Sequence, residues 1–170
     1  MNIHPIVVHF PVALLTLWSV IEIIRPSRWL PRVSWPSVSA VLLLVGFVSA
    51  FAALLTGDIA SEGVRSGVVE THEHFAQFTV LVYGLFVIDF VLPLVLRMLM
   101  RALPSGLYDI VMRIARVYER LFQARSLRAL LAIVALGSLT ITGILGGVMV
   151  YGPTTDSLAP IVMSLLGLSL

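Results

Sequence analysis

The chain has no cysteine and no lysine, and only 12% of its 170 residues are charged. The missing thiols exclude disulfides, thiolate zinc or iron–sulfur centres, and the covalent tether of a c-type haem. Any redox group must hang on His, Met or carboxylates. The missing lysines make all eleven cationic side chains arginines. Sparse charge, 59% hydrophobic residues and a mean hydropathy of +1.04 lie far outside the norm for soluble domains and define a membrane protein. The basic pI of about 9.5 does not point to nucleic acid, because the arginines cluster at the ends of apolar runs, where they act as topology signals. No nucleophile with a base, phosphate-cradling loop or Ser/His/Asp arrangement occurs. The chain reads as a carrier or complex subunit more than as a stand-alone enzyme.

What is present is a set of four apolar runs, at about residues 5–24, 37–56, 75–99 and 128–151, each long enough to cross a bilayer core as a helix. No basic residue precedes the first run and no Ala-x-Ala pattern follows it, so it reads as a retained span and not a cleaved signal. Pro5 suits the first helical position, since its missing N–H would be unpaired there anyway. Gly57 reads as a left-handed cap closing the second run. Residues 105–125 alternate apolar Leu107, Ile110, Val111, Ile114, Tyr118 and Leu121 with Arg113, Arg116 and Arg120, the pattern of an amphipathic helix in the headgroup plane. The tail, 154–170, is apolar but short and broken by Pro160, and reads as an interfacial or partner-bound segment. The expected fold is an all-α, integral membrane four-helix bundle in one domain, with one interfacial amphipathic helix.

Ten of the eleven arginines fall in the loop after the first span and in the segment from Arg97 to Arg128. With four crossings those two regions share a side, which the positive-inside rule makes cytoplasmic. Both termini and the acidic stretch from Asp58 to His74 then lie outside, across a bacterial cytoplasmic membrane.

All four histidines, His4, His9, His72 and His74, thereby collect at the outer ends of the first and third spans. An imidazole about one turn inside the membrane, as expected for His9, is costly without a partner or ligand. His4 and His9 stand about 140° apart around a helix, and His72 and His74 about 200°. Neither pair can offer both rings to one metal, but one histidine from each span can meet across the bundle, with His9 the favoured member of its pair. Two such imidazoles are what a b-type haem needs, and small-residue stripes at Gly46, Ala50, Ala53 and Gly57, and at Gly137, Thr140, Gly143 and Gly147, could make room for a flat macrocycle. Gly143 and Gly147 are the expected cradle. Two alternatives stand beside haem b. A Zn, Cu or Fe site could combine His9, His72 or His74 with Asp58, Glu70 and Glu73, or the histidines could simply cap helices, with no cofactor. Glu22 is expected to pair near Arg25, and Asp89, inside the third span, to make a polar contact between helices.

Several stretches carry a family likeness. They are His4-Pro5 and His9-Phe10-Pro11 before Val12-Ala13-Leu14-Leu15, Thr56-Gly57, His72-Glu73, and Thr142-Gly143-Ile144-Leu145-Gly146-Gly147 followed by Val150-Tyr151-Gly152. In these the chain resembles the bacterial membrane family known only as domain of unknown function 2231, over nearly its whole length apart from the tail and the amphipathic insert. The family commonly follows the final Tyr with a His or an acidic residue, whereas here Tyr151 leads into Gly152-Pro153. Members are small four-span proteins sometimes joined to or encoded with cytochrome c or Rieske modules. The resemblance implies a respiratory or similar electron-transfer setting. The partners expected are membrane lipid, a larger membrane complex or periplasmic cytochrome, and quinol, the alternative being a cofactor-free accessory subunit.

The orientation can be tested by single cysteines in this cysteine-free chain. Replacements at Ser61 and Ser157 should react with a membrane-impermeant thiol reagent from outside, while one at Ser27 stays protected. Labelling of Ser27 from outside would reverse the topology.

Overall fold

In the computed structural model, residues 4–60, 66–99, 105–154 and 156–168 are described. Glu62 and Arg65 of the acidic stretch, Arg101, and the last two residues of the tail lie outside them. The described chain is all-helical: α1 (His4–Val7), α2 (His9–Ile24), a 3-10 turn (Pro26–Arg28), α3 (Trp35–Ala60), α4 (Gly67–Leu99), α5 (Ser105–Gln123), α6 (Arg125–Tyr151) and α7 (Ala159–Leu165). Three helices are long and apolar enough to cross a membrane, and α2 is a shorter apolar one.

The first run is not one unbroken helix. Pro11 has no N–H to give to the carbonyl of Val7, and its ring crowds that carbonyl, so the helix is interrupted at Val8. The chain direction survives, because Val8 keeps helical dihedrals and bonds its N–H to His4 O at 3.1 Å. From His4 to Ile24 the path rises roughly 30 Å. Arg25, in the left-handed region at φ 55°, closes α2 by bonding its N–H to Ile21 O at 2.8 Å, and Pro26 cannot continue the helix.

Both middle spans run further than the apolar runs suggested, and Gly57 is no cap, because α3 continues through it to Ala60. Likewise α4 begins at Gly67, so His72 and His74 sit inside a helix. Polar residues at these ends need no loop, since a helix satisfies its own backbone wherever it meets water or lipid.

The four apolar helices form a ring in which α2 packs on α3, α3 on α4, α4 on α6 and α6 back on α2. Gly46 permits the α2–α3 approach, since a Cβ there would come within 2.7 Å of Leu15. Inside lie Leu15, Trp18, Tyr83, Phe86, Ala132, Ala135 and Leu139, while Val41, Val45, Val48, Leu55 and Ile59 form an exposed ridge along α3, the face a bilayer covers. The two diagonal helices, α2 and α4, meet across the axis. Trp18 stands edge-on to Phe86 with centroids 4.6 Å apart, and Tyr83 donates to Leu15 O while accepting from Ser19 at 2.7 Å.

Two segments differ from expectation in what they cover. Helix α5 docks on the bundle through Ala115 and Phe122 and through the Tyr118 hydroxyl, which donates to Leu85 O at 2.8 Å. Leu107, Ile110, Ile114 and Val117 remain exposed, so only part of its apolar face is left for lipid. The tail folds back. Pro160 starts α7 instead of breaking it, and α7 buries Ala159 and Met163 against Val68, Leu145 and Val148.

At the end carrying the arginines, Arg128 of α6 gathers three helices. Its Nε donates to Glu22 Oε1 at 3.0 Å and its Nη1 to Asp89 Oδ2, while Arg25 holds the same Glu22 oxygen at 3.2 Å. Asp89 thus has the interhelical contact expected of it, and Glu22 has Arg128 as well as Arg25. Removing one member of a buried ion pair strands the others, but these side chains keep 13–24% of their exposure, which softens the effect. Arg128→Met is expected to cost roughly 2 kcal/mol and to lower the Tm in detergent. The uncharged triple variant Glu22→Gln, Asp89→Asn, Arg128→Gln should recover most of that loss. An unchanged Tm in Arg128→Met would show that the ion pairs carry no stability.

Candidate functional site at the histidine end

His4 begins α1, and its ring lies against α3. Thr56 Oγ1 sits 3.0 Å from Ala52 O and 3.1 Å from Ala53 O, which can only accept, so the hydroxyl proton is committed to the backbone. His4 Nδ1, 3.0 Å from the same oxygen, is therefore the donor. Gly57 lies under the ring, where a Cβ would come within 3.2 Å of His4 Cε1.

His72, in the second turn of α4, has an analogous seat on α6. Its Nδ1 lies 3.0 Å from Thr142 O, a carbonyl that can only accept, so here too Nδ1 carries the proton. One turn along α6, Gly146 leaves room for the ring, since a Cβ would stand 3.3 Å from His72 Cε1. Below this seat a chain of hydroxyls continues inward, with Thr79 donating to Ser138 at 2.7 Å and Ser138 to Phe75 O at 3.2 Å.

The two rings thus come from diagonal positions in the bundle, each backed by a different neighbouring helix. In both, the bonded Nδ1–H fixes the tautomer and makes Nε2 the basic nitrogen of the neutral ring, the arrangement by which an outer partner prepares a histidine to ligate.

The other residues singled out from the sequence fall elsewhere. His9, favoured over its neighbour, is exposed, because the helical step from His4 turns it away from α3, and His4 takes the inward place. His74 is exposed on the opposite side of α4 from His72. Asp58 and Glu70 are also exposed and Glu73 is half-buried. Among the described residues no three His, Asp or Glu side chains gather as a metal-holding group, so the small-metal set is not assembled there.

Gly143 and Gly147 line a groove of about 440 Å³ between α2 and α6, together with Val12, Thr16 and Tyr151. No histidine lies in its wall. The glycines that touch the imidazoles are Gly57 and Gly146. Sequence reasoning also missed Thr56 and Thr142 as the histidines' partners, although the Thr-Gly pairs at 56–57 and 142–143 stood out as motifs. Spacing alone could not tell which glycine of the run at 143–147 faces His72.

No curated protein and no solved structure matches the chain. The family model described as "Predicted membrane protein (DUF2231)" matches residues 1–156, which leaves out α7 and nearly all of the tail, and the chain belongs to that family of membrane proteins.

Proposed function

We propose that the protein is a multi-pass carrier of electrons that holds a b-type haem between His4 and His72 at the extracytoplasmic end of the bundle. The observation that supports this reading best is the shared state of the two rings. A low-spin haem would be held by two neutral imidazoles through one nitrogen each, and both rings here have Nδ1 engaged and Nε2 basic. Two imidazoles are a donor set that suits the group. Bound there, haem would supply one-electron iron chemistry. Thr56 and Thr142 would hold the rings in orientation, Gly57 and Gly146 would let them lie flat on their helices, and the packed interior beneath would keep water from the iron. Its partners would be a periplasmic cytochrome or a membrane complex, and quinol is a candidate donor. The arginine-rich end would face the cytoplasm of a bacterial inner membrane.

A second reading rests on a different observation. Gly137 and Gly143 have nothing within 4 Å of where a Cβ would stand, and both are exposed with Thr140 on the same face of α6. Such a small-residue stripe admits a close-packed transmembrane helix. On this reading the histidines only clasp the helix ends, and the protein is a cofactor-free subunit of a larger membrane complex.

An optical spectrum separates the two. Protein purified from cells supplied with ample haem should show a b-type Soret band that sharpens on reduction, with the haem extractable by acidic acetone. His4→Ala and His72→Ala should each abolish the spectrum, while His9→Ala and His74→Ala keep it. A colourless wild-type protein would overturn the carrier reading in favour of the subunit.

A further inference from the structure

Helix α5 divides its surface three ways. One row, Ala115, Tyr118 and Phe122, is seated on the bundle, with Phe122 edge-on to Phe86 at 6.0 Å and the Tyr118 hydroxyl on Leu85 O. A second row, Leu107, Ile110, Ile114 and Val117, is apolar and 49–65% exposed. A third row, Arg113, Arg116 and Arg120, is also exposed and lies about 100° around the helix from the second. Among the described residues no ion pair takes up these three arginines.

The depth of α5 follows from the spans. From His4 to Glu22, and from His72 to Asp89, the rise is roughly 26 Å, close to the hydrocarbon thickness of about 30 Å. The layer of Glu22, Asp89 and Arg128 therefore stands at one face of the hydrocarbon core. Leu85 and Phe86, which receive α5, lie one turn from Asp89. At this depth the apolar row meets acyl chains and the arginine row meets headgroups, the division of a helix lying in an interface.

Charge selects among the headgroups. Residues 22–32 and 89–128 hold ten arginines against four acids, Glu22, Asp89, Asp109 and Glu119, and the first two of these are taken up by Arg25 and Arg128. A strongly cationic surface favours lipids of net negative charge, and guanidinium forks match phosphate oxygens. An acidic soluble partner would answer the arginines but leave the apolar row uncovered, whereas a lipid answers both. We propose that α5 binds anionic phospholipid, with Arg113, Arg116 and Arg120 donating to headgroup phosphates while Leu107, Ile110, Ile114 and Val117 rest against the chains. The site stands or falls independently of any haem at the histidine end.

The cysteine-free chain admits a single reporter, Ile114→Cys carrying bimane, in the full protein reconstituted into phosphatidylcholine vesicles. The probes are phosphatidylglycerol and phosphatidylcholine, each with a nitroxide high on one acyl chain, added at equal fractions. Quenching should show about a fivefold preference for phosphatidylglycerol, the effect of one basic residue at an anionic surface. Arg113→Gln, Arg116→Gln and Arg120→Gln together should bring the ratio to about one, whereas Arg28→Gln with Arg32→Gln should leave most of it. Equal quenching by the two lipids would overturn the site. So would a triple variant that keeps more than half of the preference, or an equal loss in the Arg28, Arg32 control. A reporter quenched by neither lipid would also overturn it, and disulfide crosslinking of unlabelled Ile114→Cys between chains would then assign the row to a second copy. Should the triple variant lose its helical melting transition, salt decides: about 1 M, where screening acts within roughly 3 Å, should abolish the preference, and its persistence would overturn the site.

Discussion

A guanidinium drawn between two carboxylates at one end of the bundle sets the register of the helices above it. In a bilayer the apolar faces of helices gain little by meeting one another, since lipid tails are as apolar as leucine, and association falls to close packing and to polar links. Arg128 links α6 to α2 through Glu22 and to α4 through Asp89. The two remaining sides of the ring, where α3 lies on α2 and on α4, have no such ion pair among the described residues, and on the α2 side Gly46 brings the backbones together. With one end pinned, the hydroxyl contacts of Ser19 with Tyr83 and of Thr79 with Ser138 fall at heights fixed by helical rise. The histidine seats complete the same framework at the far end, tying α1 to α3 and α4 to α6.

The framework also shows why the two ends differ in character. Around Arg128 the charges satisfy each other, and the polar groups are used to hold helices. At the histidine end the polar partners are a hydroxyl and a carbonyl, which orient a ring without neutralising it. The first arrangement suits structure, and the second leaves a basic nitrogen on each of two rings.

Much of this was legible in the sequence, and the failures have physical causes. The apolar runs located the membrane helices because hydrophobic thickness sets their length, and the histidines' gathering at one end followed from arginine placement. Helix ends were misjudged because Asp58, Glu70 and Glu73 look like loop residues, although a helix can leave the membrane without unwinding. His9 was favoured over His4 because depth was weighed and direction was not. The helical step of five residues turns His9 away and leaves the outer residue, His4, as the one facing α3. Gly143 and Gly147 were noticed for their spacing, but which side of α6 a glycine serves is decided by the partner helix. Arg128 was counted as a topology signal, and nothing in a linear reading shows that its charge turns inward to Asp89, 39 residues earlier.

The ion pairs of Arg128 also bear on how the protein is made. The chain emerges from its amino end, so Glu22 and Asp89 are synthesised before the cation that joins them. An arginine cannot shed its proton to ease its way into lipid, as a lysine can. Helix α6 therefore completes its insertion with a permanent charge and needs the carboxylates of α2 and α4 already waiting beside it. The last membrane-crossing helix thus acts as the keystone of assembly, and a chain halted before Arg128 leaves two acids at the lipid boundary without their counter-ion, a ready mark of an unfinished protein.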